Sequence, residues 1–210
     1  MTPEPESLRQ RRRRELRQQL SDVATQMFLE HGFDSVRVAD VARACGVTEA
    51  TVFNHFRSKE SLLVDRWDVA IESVRSKLAD LRVAPLDAML VVLEDELAFL
   101  MSPSSDAHPH GGVANLRHFR KLVESTPSLI AHERAALDRM TDTTAAALAG
   151  RRECSPDDPE PWIMAAALTG LWSVLYRSLR HALATDDIPL IRNTVCRDVR
   201  RAAATLRQGL

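Results

Sequence analysis

The fold of this chain is decided by residues Val36–Lys59, which read VRVADVARACGVTEATVFNHFRSK. Small and apolar side chains recur in its first half at three- and four-residue steps, at Val38, Val41, Ala42 and Cys45. This spacing predicts a short helix over 38–45 with one buried face.

A tight turn and a second helix follow directly. Gly46 is suited to the left-handed conformation that ends a helix, and Thr48 is suited to cap a helix expected over 49–55. Val52 and Phe56 continue the buried side, so the other residues of this helix face solvent. An exposed second helix of this kind fits the major groove of DNA. Periodicity alone allows one corner of a helical bundle equally well.

Two stretches of sequence identify a resemblance. Gly46–Leu63 has the pattern G-V-T-x-x-T-V-F-x-H-F-x-x-K-E-x-L-L, and Phe28–Phe33 has the pattern F-x-E-H-G-F. Both resemble the TetR family of bacterial transcriptional regulators, over about the first quarter to third of the chain. The resemblance implies a DNA-binding helix-turn-helix, a homodimer and a small-molecule effector.

The resemblance also implies roles for single residues. Thr51 would touch a phosphate or a base edge, and His55 and Lys59 would approach phosphates. Phe53 stands where the family usually has a phosphate-binding tyrosine, and its ring lacks that hydroxyl. Glu49 is equally well explained as a first-turn carboxylate at a helix N-terminus, and Arg37 as a solvated side chain. The further DNA-contacting positions implied are Arg37, Thr48, Glu49, Ala50 and Asn54.

An arginine run precedes this region. Ser7–Arg17 holds six arginines and one glutamate. The run is interpreted as an arm ahead of the first helix that contacts the DNA backbone or minor groove, and the alternative is a solvated helix end. The candidate DNA contacts in it are Arg11, Arg12, Arg13 and Arg14.

The composition indicates an all-α protein. The chain has 210 residues, 45% of them hydrophobic, and only 7 glycines. Helix formers dominate and β-branched runs are few, so we expect about nine helices. We assign an N-terminal arm and three-helix DNA-binding domain to residues 1–60, with the helix-turn-helix at about 36–55. A long helix over 59–81 would link it to a larger C-terminal domain over 82–210.

Several classes of function are disfavoured. The net charge is −1, so any signal for nucleic acid must be local. The sequence has neither an apolar stretch for a membrane span nor a secretory signal, and its 3 cysteines are widely spaced. We therefore expect a cytoplasmic protein. It has no catalytic signature, and we expect no cofactor and no metal at the loop that contains His108 and His110.

The C-terminal helices suggest a dimer. Trp162–Tyr176 is apolar on nearly all sides, and the last helix has one apolar stripe. By resemblance to the family, these two helices pair with their copies in a second subunit; the alternative is packing within one subunit. The expected interface residues are Trp162, Ala166, Gly170, Ser173, Arg177, Ile191, Val195 and Val199.

By resemblance to the family, the helices between the DNA-binding region and the dimer helices would surround an effector pocket. The alternative for each residue is an ordinary filled core. The expected lining is Met89, Leu93, Leu97, Phe99, Leu100, Leu116, Phe119, Leu137 and Met140. We expect a homodimeric repressor that binds a palindromic double-stranded DNA operator and is released by an apolar or amphipathic effector; activation of transcription is the alternative to repression. A helical enzyme or an interaction protein using the C-terminal cavity is the alternative.

Overall fold

The computed structural model describes residues 7–64, 66–103 and 112–209, and within these ranges the chain is helical with no strand. The loop with His108 and His110 lies outside the described residues. The helices are α1 (Leu8–His31), α2 (Val38–Ala44), α3 (Glu49–Phe53), a 3-10 helix (Glu60–Leu62), α4 (Arg66–Ala79), α5 (Pro85–Leu100), α6 (Val113–Ser125), α7 (Pro127–Arg152), α8 (Pro159–Ala182) and α9 (Ile188–Gly209).

Local capping sets the ends of the N-terminal helices. Ser7 caps α1, where its hydroxyl accepts from the backbone N–H of Gln10 at 3.2 Å. The same helix ends at Gly32, whose φ is +82° and whose N–H donates to the carbonyl of Phe28 at 2.9 Å. Gly46 has a φ of +68°, which a residue with a Cβ rarely adopts, and this turns the chain between α2 and α3.

The single long helix expected over 59–81 is wrong. A 3-10 helix at Glu60–Leu62 comes first, and α4 begins only at Arg66. Two serines close this turn, because the N–H of Ser61 donates to the hydroxyl of Ser58 at 3.3 Å and that of Ser58 to the hydroxyl of Ser61 at 3.1 Å. Three consecutive residues, Leu62 to Val64, are at most 6% exposed. One face of an α-helix cannot bury three residues in a row, so the chain leaves the α-helical path here.

The remaining helices form one continuous core. Helix α7 packs against both α4 and α8, and α8 packs against α9. The end of α4 is tied to α7 by Arg151, whose guanidinium donates to the backbone carbonyls of Leu78, Asp80, Leu81 and Val83 at 2.7–3.4 Å. This side chain satisfies carbonyls that a helix end leaves without intrahelical partners.

Candidate nucleic-acid interface and ligand cavity

Helix α3 presents its outer face to solvent. Its first turn is fixed by Thr48, whose hydroxyl accepts from the N–H of Thr51 at 3.2 Å and lies 2.9 Å from the Thr51 hydroxyl. Val52 is 1% exposed and holds the inner face against the core. The exposed residues of this region are Thr48, Glu49, Ala50, Phe53 and Asn54. The outer face therefore offers a hydroxyl, a carboxylate, a methyl, a ring and an amide to a partner.

Helix α1 holds the end of α3 in place. Arg17 donates to the backbone carbonyl of His55, and its guanidinium carbon lies 4.3 Å from the centroid of the Phe56 ring. Burial lowers the pKa of His55, and the positive charges of Arg13 and Arg17 lower it further. The basic end of α1 is thus a direct neighbour of the end of α3.

The arginine run is not an arm ahead of the first helix, because its residues form the first turns of α1 itself. The cap at Ser7 explains this, since it starts the helix before the first arginine of the run. Arg11 to Arg14 are exposed, and Arg11 pairs with Glu15 at 2.8 Å.

Helix α2 contributes a second basic group. Asp40 accepts from the backbone N–H of Arg37 at 3.0 Å, and this bond lowers the pKa of its carboxyl. The same carboxylate lies 3.5 Å from the guanidinium of Arg37 and 3.4 Å from that of Arg43. Asp40 thus satisfies the backbone N–H of the residue before α2 and holds one exposed arginine at each end of that helix.

Lys59 is half-buried and packs against aromatic rings. Its ammonium lies 4.4 Å from the centroid of Phe33 and 5.7 Å from that of Phe28. A cation over an aromatic ring is attracted by the negative electrostatic potential at the face of the ring. The structure therefore gives Lys59 a packing role between α1 and the turn after α3.

A cavity of about 210 Å³ opens between the DNA-proximal helices and the C-terminal ones. Its wall includes Ser21 and Thr25 of α1, Trp67 of α4, and Trp172 of α8. Four of the residues expected in an effector pocket also line it, namely Phe99, Leu100, Leu116 and Phe119.

The other expected pocket residues are elsewhere. Met89, Leu93, Leu97 and Met140 are at most 3% exposed and belong to the filled core, and Leu137 is partly buried against that core. Expecting these five residues in this cavity is wrong, because neighbouring helices already occupy the space around them.

The cavity contains a buried carboxylate that sequence reasoning missed. Glu96 is 4% exposed and accepts from the guanidinium of Arg66 at 3.0 and 3.3 Å and from the hydroxyl of Tyr176 at 3.3 Å. Burial, and then the charge of Glu96, raise the pKa of Tyr176 well above its usual value. A signal was present in the sequence, since Glu96 lies three residues after Leu93 and so on the apolar face of α5.

A second ion pair stands beside the first. Arg120 is 7% exposed and binds Glu133 at 2.7 Å, and its guanidinium carbon lies 4.7 Å from the centroid of Tyr176. Both guanidinium groups of the cavity wall are therefore already paired with carboxylates of the chain.

The outward face of α8 is exposed and has few large side chains. Trp162 is 52% and Ile163 is 56% exposed, Gly170 and Ser173 are exposed, and Ala166 is half-buried. Arg177 is exposed on the same helix. Most of this face is therefore open to solvent in the described part of the chain.

Three of the expected interface residues are not available to a second subunit. Ile191 and Val195 are 0% exposed and Val199 is 6% exposed, because the apolar stripe of α9 packs on the chain's own α8 and α5. Placing them in a dimer interface is wrong.

Two further features are absent from the described ranges. No group of three or more His, Cys, Asp or Glu residues there is arranged to hold a metal ion. Nor is any helix in that part of the chain long and apolar enough to cross a membrane.

Two family models match the chain. The model described as bacterial regulatory proteins, tetR family, matches residues 20–65, and that of the MftR C-terminal domain matches residues 104–210. The first match covers α3 and its flanking helices. The second match includes α8 with its exposed face.

Relatives and solved structures agree with these matches. The chain is 29% identical to the HTH-type transcriptional regulator TcmR of Streptomyces glaucescens, over 88% of this chain and 82% of that one. It is 27% identical to a candidate mycofactocin biosynthesis transcriptional regulator, MftR, of Mycobacterium tuberculosis, over 86% of each. Its fold is similar to that of SmeT, solved in complex with triclosan, with a TM-score of 0.59 and 16% identity over 91% of both chains.

Proposed function

The chain belongs to the TetR family of bacterial regulatory proteins, and from this premise we propose that it is a homodimeric, ligand-responsive repressor. Residues 1–60 would bind a palindromic operator in double-stranded DNA, and residues 82–210 would bind the effector and form the dimer. Its place of action would be the cytoplasm, where bacterial DNA lies.

The exposed outer face of α3 is the observation that carries the proposal. Four polar or small residues and the Phe53 ring are exposed there, whereas Val52 on the opposite side is fully buried. An exposed helix that follows a tight turn can enter the major groove, where Asn54 would pair with adenine and Ala50 would meet a thymine methyl. Thr51 would donate to a phosphate.

Basic residues lie on both helices that adjoin α3. Arg13 of α1 is close enough to His55, at the end of α3, to lower its pKa, and Arg11 to Arg14 are exposed in the same turns of α1. Arg37 lies at the start of α2, which packs against α3. Phosphate contacts from both sides would fix the register of α3 in the groove, since such contacts position a protein without reading sequence. Phe53, half exposed at 50%, would pack against the sugar-phosphate backbone.

A dimer would form through the outward face of α8. Small residues at Ala166, Gly170 and Ser173 recur at three- and four-residue spacing and would allow close approach of a second α8. Trp162 would supply apolar area at one end and Arg177 polar contact at the other. A two-fold pair places two copies of α3 on successive turns of DNA, about 34 Å apart.

The cavity would couple ligand to DNA. Its wall includes residues of α1, which belongs to the DNA-binding region, and of α4, which follows it. A ligand that fits one spacing of the two α3 helices better than another would shift the population toward that spacing. A ligand with equal affinity for both would have no effect.

Fluorescence anisotropy with the DNA upstream of the chain's own gene tests the proposal. We expect salt-sensitive binding by a dimer, and at least tenfold weaker binding by Thr51→Ala, because a hydrogen bond to a charged phosphate is lost in each subunit. Thr205→Ala on α9 is the matched control and should bind as the parent does. Equal binding by both variants, or none by the parent to its upstream DNA, would refute the proposal.

A further inference from the structure

The size of the cavity limits its occupant. A volume of about 210 Å³ is smaller than a typical pocket for drug-sized molecules, about 300–1,000 Å³. It exceeds the roughly 150 Å³ of an engineered apolar cavity that admits benzene. The space therefore suits a compact molecule somewhat larger than a single ring, such as two fused rings.

The wall favours an aromatic occupant. Trp67 and Trp172 lie with ring centroids 6.1 Å apart, and Phe99 and Phe119 line the same space. Aromatic pairs prefer offset or tilted contacts that flat ligands can extend. Shape and chemistry thus agree on a flat, rigid ring system.

The charges of the wall disfavour an anion. Arg66 is held between the carboxylate of Glu96 and the ring of Phe99, whose centroid lies 3.4 Å from its guanidinium carbon. Arg120 is held between Glu133 and the ring of Tyr176. An anionic ligand would have to displace a carboxylate of the chain, and Asp22 adds one more acidic group to the described lining.

An ammonium beside the most buried carboxylate is also disfavoured. The most buried carboxylate of the cavity, Glu96, is already paired with the positive charge of Arg66. A second cation at Glu96 would therefore be repelled by Arg66. Burying an unpaired charge is costly, whereas a neutral ligand brings none.

Glu96 nevertheless retains capacity to accept a hydrogen bond. A carboxylate offers about four lone-pair sites on its two oxygens. Glu96 accepts two hydrogen bonds from Arg66 at Oε2 and one from Tyr176 at Oε1. A hydroxyl on the ligand would add a hydrogen bond to a charged acceptor, which is roughly twice as strong as a neutral one.

We propose that the effector of this cavity is a neutral aromatic molecule of about two fused rings, bearing a hydroxyl group that donates to Glu96. The inference rests on the cavity being the effector site of the proposed repressor, and it adds the chemical class of the ligand.

Equilibrium dialysis with four matched probes, at neutral pH and without DNA, tests the class. The probes share one ring system: 2-naphthol, naphthalene, 2-naphthoate and 2-naphthylmethylammonium. We expect 2-naphthol to bind tightest, at least tenfold tighter than naphthalene, because it adds a hydrogen bond to Glu96 and, unlike the ammonium probe, brings no charge into the cavity. Naphthalene binding as well as 2-naphthol, either ionic probe binding tighter, or no probe binding at all would overturn the proposal.

A pair of variants on α5 tests the role of Glu96. In Glu96→Gln the acceptor loses its charge and Arg66 loses its counter-ion, so 2-naphthol should bind about tenfold more weakly and 2-naphthoate more tightly. Glu94→Gln makes the same change two residues earlier, at an exposed pair with Arg200, and should leave both affinities as in the parent. Unchanged selectivity in Glu96→Gln would overturn the assignment, and the probe ranking of the unmodified chain decides the matter even if that variant fails to fold.

DNA binding is measured separately, by anisotropy without probe. If the parent binds its upstream DNA and the probes rank otherwise, the ligand class is wrong and the repressor proposal stands. If the probes rank as expected and no upstream DNA binds, the repressor proposal is wrong.

Discussion

Replacing Arg151 by methionine tests whether one side chain anchors the end of α4. Its guanidinium donates to four backbone carbonyls between Leu78 and Val83, three of them at 2.7–3.0 Å and one at 3.4 Å. Methionine keeps the apolar stem and removes all four bonds, so those carbonyls lose their donors.

The magnitude follows from the geometry. A hydrogen bond to a charged group is worth about 1.5–3 kcal/mol net. The four hydrogen bonds share one guanidinium group and are partly exposed to solvent. We therefore count them as about two bonds, each at the lower value of about 1.5 kcal/mol. The free energy of unfolding should then fall by about 3 kcal/mol, which corresponds to a Tm lower by roughly 6–12 °C for a chain of this size.

Urea unfolding followed by circular dichroism, at one fixed protein concentration, measures the change. Arg152→Met is the matched control, because it lies in the same last turn of α7 with an exposed side chain and meets the same helix dipole. Arg151→Lys should lie between the two, since an ammonium cannot span four carbonyls. If Arg151→Met and Arg152→Met agree within about 0.5 kcal/mol, the anchoring argument is wrong.

Three further predictions follow. Deleting Ser7–Arg14 should reduce the steepness of log affinity for DNA against log salt concentration by about 2. Each lost phosphate contact contributes about 0.9 to this slope, and the dimer loses at least two contacts. An unchanged slope in a salt titration would count against a DNA contact by these residues. Gly46→Ala should destabilise by about 1–2 kcal/mol because its φ is +68°, whereas the helical Gly150→Ala should stabilise by about 0.5–1 kcal/mol in urea unfolding, and equal signs would contradict this. The lowered pKa of His55 means that its contribution to stability is present above about pH 6.5 and is lost as the pH falls through the folded pKa, so His55→Gln should flatten that decline, and an unaltered pH profile would refute it.

Features that depend on neighbours within a few residues could be predicted. The spacing of apolar residues predicted most of the helices, and Gly46 predicted the turn between α2 and α3. Thr48 predicted the start of α3, where its hydroxyl does accept from the N–H of Thr51. Capping bonds join residues three apart, so the spacing of residue types already specifies them. The boundary before α4 could not be predicted in this way, because it depends on how deeply Leu62 to Val64 are buried.

The candidate sites show the same division between features set by local sequence and features set by distant residues. Sequence alone determined the all-α fold and the residues on the outer face of α3, because the helical period fixes the direction of each side chain once the start of the helix is set by its cap. The tertiary structure decided the cavity, since Arg66 meets Glu96 thirty residues away and Tyr176 meets it from eighty residues away. It also decided that the stripe of α9 is internal, at Ile191 and Val195. The hydrophobic effect favours burial of an apolar stripe equally against its own chain or against a second copy. The sequence pattern therefore does not identify the surface that covers the stripe. Only the packing of helices that are distant in sequence decides it.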